Sequence, residues 1–203
     1  LPVVDMEDRL VGIVTFDDAI DVLEEETTED IEKMAAITPS DKPYLKTGVL
    51  ETWRARIPWL LLLMISATFT GLIISSYESA LAKYVVLTAF IPMLMDTGGN
   101  AGSQASVTII RSVSLGDIEF QDLLKVIWKE FRVAALCGLT LAAVNFVKLM
   151  VLDKVGMLVS AVVCMTLLST VLLAKLVGCV MPMLAKKIGF DPAVMASPFI
   201  TTI

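Results

Sequence analysis

The chain has 203 residues, 56% of them hydrophobic, and its mean hydropathy of +0.78 is well above that of an ordinary soluble domain. The formal net charge of −6 leaves no basic surface, so nucleic-acid binding is excluded. Histidine is absent, the cysteines (Cys137, Cys164, Cys179) lie in apolar runs, and no nucleophile–base pair is visible, which excludes a disulfide framework, a thiolate metal site and an enzyme.

Two β-rich runs, Leu1–Asp5 and Arg9–Thr15, open the chain, and the polar tetrapeptide between them predicts a hairpin. Phe16–Leu23 follows with apolar residues at helical spacing. The pattern LPVVD…RLVGIVTFDDAIDVL resembles the closing half of a cystathionine-β-synthase (CBS) domain. The resemblance implies that residues 1–23 are the C-terminal part of such an α/β domain and that its other half precedes them.

Acidic residues are concentrated before and within the segment 24–52, which is expected to hold an acidic connecting helix and a linker over Ile37–Glu51. They are Asp17, Asp18, Asp21, Glu24, Glu25, Glu26, Glu29, Asp30 and Glu32. Two interpretations stay open: a solvated helix face, or a cation-binding segment, since carboxylate oxygens are ligands that Mg²⁺ and Ca²⁺ prefer. Thr28 is predicted to cap a new helical turn here.

Five apolar runs predict membrane spans of about 20 or more residues each, the last one incomplete at Ile203. They are Ile57–Ser76, Ala82–Ile110, Leu123–Val151, Gly156–Ala185 and a run from about Ala193. The predicted fold is mainly α: a polytopic bundle of five transmembrane helices over residues 53–203, preceded by the end of the CBS domain and the acidic connecting helix.

Basic residues at the span ends predict the orientation in the bilayer, because they favour the cytoplasmic side. Arg54, Arg56, Arg111, Lys125, Lys129, Arg132, Lys186 and Lys187 fall on the side of the N-terminus, and Lys83, Lys148 and Lys154 fall on the other. The N-terminal segment is therefore expected in the cytoplasm and the protein in the plasma (inner) membrane.

The second predicted span contains the polar stretch PMLMDTGGNAGSQ, which hydrocarbon alone does not accommodate. Asp96, Asn100 and Gln104 recur at every fourth position and so share one helical face. Gly98 and Gly102 form a GxxxG pair, which indicates either a close helix–helix contact or a polar pathway. Pro92 is expected to kink the helix and free the Thr88 carbonyl. Elsewhere, Glu130 is expected to pair with neighbouring charges, and Lys175 to snorkel or bond between helices.

TGGNAGSQ at 97–104, with Ile-Ile-Arg111 after it, is similar to the signature of the MgtE family of magnesium transporters. DVLEEETTEDI at 21–31, KE at 129–130, GFDPA at 189–193 and SPFITT at 197–202 resemble the same family in the same order. The resemblance implies a homodimer with a Mg²⁺ pore along the second and fifth helices. It also implies regulation by an N-terminal domain and a CBS pair, a possible nucleotide site outside this stretch, and an acidic plug helix that cytosolic Mg²⁺ holds closed.

When the family's motifs are matched to this sequence residue by residue, the resemblance implies two separate sets of functional residues, one for regulatory Mg²⁺ binding and one that lines the pore. The regulatory set is Asp18, Asp21, Glu26, Glu29, Asp30 and Asp191, and the pore-lining set is Asp96, Gly98, Gly99, Asn100, Gly102 and Gln104. The expected function is uptake of divalent cations through a Mg²⁺-selective channel or transporter gated by cytosolic Mg²⁺. The alternatives are a CBS-regulated transporter of another cation and a non-conducting membrane scaffold.

Overall fold

The computed structural model describes residues 1–40, 42–195 and 200. The chain opens with an antiparallel hairpin of β1 (Pro2–Val4) and β2 (Leu10–Ile13), in which Val3 pairs with Gly12. Asp5 closes the turn, because its Oδ1 accepts hydrogen bonds from the backbone amides of Glu7 and Arg9 at 3.0 and 2.9 Å. The predicted hairpin is confirmed.

Helix α1 runs without a break from Phe16 to Met34. Thr15 caps it, and the predicted cap at Thr28 is wrong: the Thr28 hydroxyl donates to the Glu24 carbonyl (2.8 Å) inside the continuous helix. The polar run 24–30 still propagates helix, because each added residue gains a backbone bond once the helix has begun. Burial of α1 starts only at Glu29, so its last turns alone pack against the rest of the molecule.

A short 3-10 helix (Tyr44–Lys46) precedes helix α2 (Val49–Ser76). The helix begins within the predicted linker and eight residues before the predicted span. The polar residues after Gly48 add helical hydrogen bonds to the apolar span, and a prediction from apolarity alone leaves them out. The chain then turns through α3 (Glu78–Leu81).

The predicted second span is divided into a 3-10 helix (Ala82–Phe90), with Tyr84 in a non-helical conformation, and helix α4 (Ile91–Ser114). Pro92 lies in the first turn of α4, where a missing amide costs little. The prediction that Pro92 frees the Thr88 carbonyl is wrong, because that carbonyl accepts a hydrogen bond from the Ile91 amide.

Helices α5 (Leu123–Val151) and α6 (Met157–Lys187) form an antiparallel pair, and α6 also packs along α4. Helices α4, α5 and α6 form a three-helix unit with three apolar clusters. Met183 is buried in the cluster at one end, Leu149 in the cluster at the other end, and Val171 in the cluster between them. A 3-10 turn (Pro192–Met195) follows α6. The predicted fifth span falls mostly outside the described residues.

Four helical segments among the described residues are long and apolar enough to cross a membrane: Val49–Ser76, Glu78–Ser114, Phe120–Val151 and Met157–Lys187. The prediction of a mainly α chain built on long apolar helices is confirmed. Two groups of polar residues that the sequence singled out lie on this framework. One is midway along α4, and the other is where α1 meets the end of α6.

Candidate ion-binding regions

The outer face of α4 carries the predicted polar stripe. Asp96, Asn100 and Gln104 are all exposed, and the Asn100 Nδ2 donates to the Asp96 Oδ2 at 3.2 Å. The spacing of four residues places them one above another along the helix. A carboxylate and two carboxamides therefore share one exposed face of α4.

The opposite face of α4 carries the glycines, which are buried. A Cβ on Gly98 would lie 2.6 Å from the Thr170 Cγ2, and one on Gly102 would lie 3.0 Å from the Ala174 carbonyl oxygen. The GxxxG pair is thus the contact surface for α6, while the polar stripe stays exposed. The close helix–helix contact is confirmed for the glycine face, and a polar pathway along the opposite face stays a prediction.

Two buried charges adjoin the stripe, a position that the sequence analysis predicted for neither of them. Glu130 of α5 and Lys175 of α6 are 9% and 5% exposed and line the same groove of about 790 Å³ as Asn100 and Gln104. Its other lining residues are Ser103, Ala105, Val107, Thr108 and Val133. Within the described part of the chain, neither charge has an ion-pair partner within 4.0 Å.

The predicted pairing of Glu130 with neighbouring charges is therefore wrong. Lys129 and Arg132 are exposed, whereas Glu130 faces inward with Ala134 and Gly138, two small buried residues at spacings of four. The signal available in the sequence was the spacing of four residues between Glu130, Ala134 and Gly138, which places Glu130 on the small-residue face of α5. Helical phase outweighs closeness in sequence in deciding which way a side chain points.

The second polar region joins α1 to the turn after α6. The Lys33 Nζ lies 2.5 Å from the Glu29 Oε1 and 2.6 Å from the Asp191 Oδ2. The Asp191 Oδ1 in turn accepts a bond from the Ala193 amide at 2.9 Å. The apolar residues Met34, Ile110 and Ala193 pack beside this ion pair.

The charges in this region perturb one another. Burial by itself would raise the pKa of Asp191, but the bonds from Lys33 and the Ala193 amide hold it below its ordinary value. The hydrogen bonds from Asp191 and Glu29 raise the pKa of Lys33 above its ordinary value. Burial, reinforced by the nearby Asp191 carboxylate, raises the pKa of Asp30.

The predicted regulatory residues do not form one cluster. Glu29, Asp30 and Asp191 meet at the Lys33 contact, and Glu26 lines a cavity of about 680 Å³ beside it. Asp21 lines a different concavity, of about 650 Å³, which Glu26 and Glu29 also line, so α1 presents these acids to two neighbouring recesses. Among the described residues, no group of three or more acidic, cysteine or histidine side chains is positioned to hold a metal ion.

Asp18 stands apart and has a local structural role. Its Oδ2 accepts bonds from the Thr15 amide and hydroxyl, both at 2.7 Å, and its amide donates to the Thr15 hydroxyl at 3.2 Å. The bonds from Thr15 lower the pKa of Asp18. This reciprocal arrangement is a capping box that begins α1.

Residues 91–203, from the start of α4 onward, match the model of one protein family, MgtE, described as divalent cation transporters. The chain belongs to the MgtE family. The resemblance predicted from TGGNAGSQ is confirmed, and a family of transporters agrees with the prediction that the chain is not an enzyme.

Curated MgtE relatives extend the likeness over the whole chain. It is 40% identical to the magnesium transporter MgtE of Thermus thermophilus, covering all 203 residues of this chain and 45% of that protein. The magnesium transporters MgtE of Enterococcus faecalis and Bacillus subtilis are each 34% identical over the full chain and 44% of their own length. The chain thus spans less than half the length of these relatives. With its long apolar helices, it is a multi-pass membrane protein of the MgtE family.

Proposed function

We propose that this chain supplies the membrane part of a Mg²⁺-selective channel or transporter for cation uptake, closed by cytosolic Mg²⁺. The observation that carries the proposal is the row of Asp96, Asn100 and Gln104 on the exposed face of α4. An intramembrane carboxylate is costly without a polar partner or water, so such residues mark ion pathways. The relatives named as magnesium transporters support Mg²⁺ as the substrate.

The physical basis is the chemistry of the ion. Mg²⁺ dehydrates reluctantly and prefers oxygen ligands, so carboxylate and amide oxygens suit a hydrated ion held through water. Asp96, Asn100 and Gln104 supply these oxygens. Gly98 and Gly102 shape the pathway indirectly, because their bare backbone lets α6 approach. Gly99 is buried beside them.

A second copy of the chain completes the pathway in this proposal. The exposed polar stripe suits a homodimer in which two α4 faces enclose the ion, together with a fifth helix that begins near Ala193. The exposed apolar surface of α2 then meets lipid or the partner subunit. The N-terminal segment is cytoplasmic and the bundle lies in the plasma membrane.

Closure by cytosolic Mg²⁺ acts through the acids of the CBS end and α1: Asp18, Asp21, Glu26, Glu29, Asp30 and Asp191. The carboxylates of Glu29 and Asp191 converge on one ammonium, so they are placed to share one cation. Bound Mg²⁺ supplies positive charge that offsets repulsion among the acids and shifts the population toward the docked, closed state.

The test is Mg²⁺ uptake into liposomes that contain the full-length protein. Asn100→Ala and Asp96→Ala are expected to reduce uptake, whereas Thr166→Ala, an exposed hydroxyl off the stripe, leaves it unchanged. Added Mg²⁺ on the plug side is expected to reduce uptake by the unmodified protein. Uptake that survives both stripe substitutions would favour the scaffold interpretation, and equal uptake of other divalent ions would favour transport of another cation.

A further inference from the structure

We infer that the start of α5 is a binding site for the headgroup of an anionic phospholipid. The site consists of the cations Lys125, Lys129 and Arg132 with the Trp128 ring beside them, and is called the α5 basic face below. It shares no residue with the polar stripe of α4 or with the Lys33 contact. The inference therefore does not depend on the proposed transport of Mg²⁺.

Helical phase places the three cations on the exposed side of α5. Spacings of four and seven residues bring Lys125, Lys129 and Arg132 to one face, and all three are exposed. Val126 and Glu130 are buried on the other side of the helix. The Glu130 carboxylate therefore points away from the α5 basic face and does not pair with its cations.

The same face becomes apolar farther along the helix. Leu136 and Leu139 follow Lys129 and Arg132 by seven residues each, about 10 Å along the axis, and are 69% and 58% exposed. Both lie in a segment long and apolar enough to cross a membrane. Cations followed by leucines match the headgroup and acyl chains of one phospholipid, whereas a soluble acidic partner would match the cations alone.

The Trp128 ring sets the level of the site in the bilayer. It is 60% exposed, and it stacks on the Phe131 ring with the two centroids 5.9 Å apart. The guanidinium carbon of Arg132 lies 5.8 Å from the Trp128 centroid. Tryptophan favours the headgroup region because its ring is apolar and its N–H is polar. The cation–π contact therefore holds the Arg132 guanidinium at the level of the lipid phosphates.

The charge balance of this face favours an anionic lipid over a zwitterionic one. Lys125 is paired with Asp122 at 2.8 Å, but in the part of the chain that the structure describes neither Lys129 nor Arg132 has a carboxylate within 4.0 Å. A guanidinium binds phosphate through two parallel hydrogen bonds, and an ammonium adds a point charge. A zwitterionic headgroup would bring a further cation into the same site, whereas an anionic headgroup does not.

Quenching of Trp128 fluorescence by brominated lipids measures this preference at the site. The full-length protein, with every other tryptophan replaced by phenylalanine, is reconstituted into bilayers of phosphatidylglycerol and phosphatidylcholine. In separate samples one of the two lipids carries brominated acyl chains. The binding constant next to Trp128 is expected to be at least about fivefold higher for phosphatidylglycerol, since each cation near the surface favours anionic lipid by about that factor.

The double variant Lys129→Gln with Arg132→Gln is expected to lower this ratio of binding constants to about one. Lys129→Arg keeps the charge and is expected to keep the preference. Lys154→Gln, at an exposed lysine in the loop after α5, is the matched control and leaves the ratio unchanged. The melting temperature of each variant is measured beside its quenching.

Three results would overturn the inference. They are equal binding constants for the two lipids in the unmodified protein, a preference that survives the double substitution in a folded protein, and quenching by neither lipid. The last result would show that a protein surface covers this face. If the double variant does not fold, Lys129→Gln and Arg132→Gln are measured singly, and each is expected to lower the ratio.

Discussion

Gly178 of α6 faces the backbone carbonyl of Gly102 in α4 so closely that a Cβ on Gly178 would overlap that oxygen. The two glycines set the separation of α4 and α6. Because backbone atoms cannot yield as a flexible side chain does, this contact is sensitive to a single methyl group.

Gly178→Ala is accordingly expected to destabilise the protein by about 1–3 kcal/mol, the usual cost of overpacking. Gly71→Ala is the matched control, since Gly71 is also in an apolar helix but has open space where its Cβ would stand. Thermal unfolding of both variants in detergent gives the comparison. Equal melting temperatures for the two would show that α4 and α6 are farther apart than described.

The capping box at Thr15 and Asp18 separates a structural role of Asp18 from a metal-binding one. Thr15→Ala removes the cap, worth about 1 kcal/mol, and keeps the carboxylate. Asp18→Ala removes both. If Asp18 binds regulatory Mg²⁺, Asp18→Ala but not Thr15→Ala is expected to raise the cytoplasmic Mg²⁺ concentration that halves uptake. Both variants are expected to speed hydrogen exchange in the first turns of α1, because both remove the cap.

The same shift in the half-inhibiting Mg²⁺ concentration for Thr15→Ala and Asp18→Ala would contradict a ligand role. The effect of Asp18 on regulation would then pass through the start of the helix. Asp17→Ala serves as the control for loss of one negative charge, because Asp17 is the neighbouring first-turn acid and takes no part in the capping box.

The two buried charges in the groove beside the stripe are expected to affect Mg²⁺ uptake in opposite directions. Glu130→Gln removes a negative charge next to Asn100 and Gln104, and is expected to lower Mg²⁺ uptake by at least about threefold. Lys175→Met removes a positive charge from the same groove and is expected to raise it. The reason is Coulombic: both charges are more than nine-tenths buried, so solvent screens them weakly.

Lys154→Met, at an exposed lysine in the turn before α6, is the control for this pair and is expected to leave uptake unchanged. Uptake that changes in the same direction for Glu130→Gln and Lys175→Met would point to a loss of packing rather than an electrostatic effect. The expression level and melting temperature of each variant, measured beside its uptake, identify that outcome.

The sequence by itself determined the class of protein, the long apolar helices, the hairpin and the family. These follow from local properties: composition, periodicity and a motif confined to residues 97–104. The span Leu123–Val151 was predicted to the residue, because apolarity and turn signals coincide at both ends. Where helix extends into polar sequence, as at Val49 and through Thr28, apolarity underestimated it.

Only the tertiary structure decided which way the polar and small residues face. Gly102 meets Gly178, Glu130 and Lys175 enter one groove, and Lys33 reaches Asp191 across 158 residues. No local pattern encodes these pairs, since each depends on the phase and spacing of helices distant in sequence. An ion site is made of such pairs, so it is known only when the helices are placed.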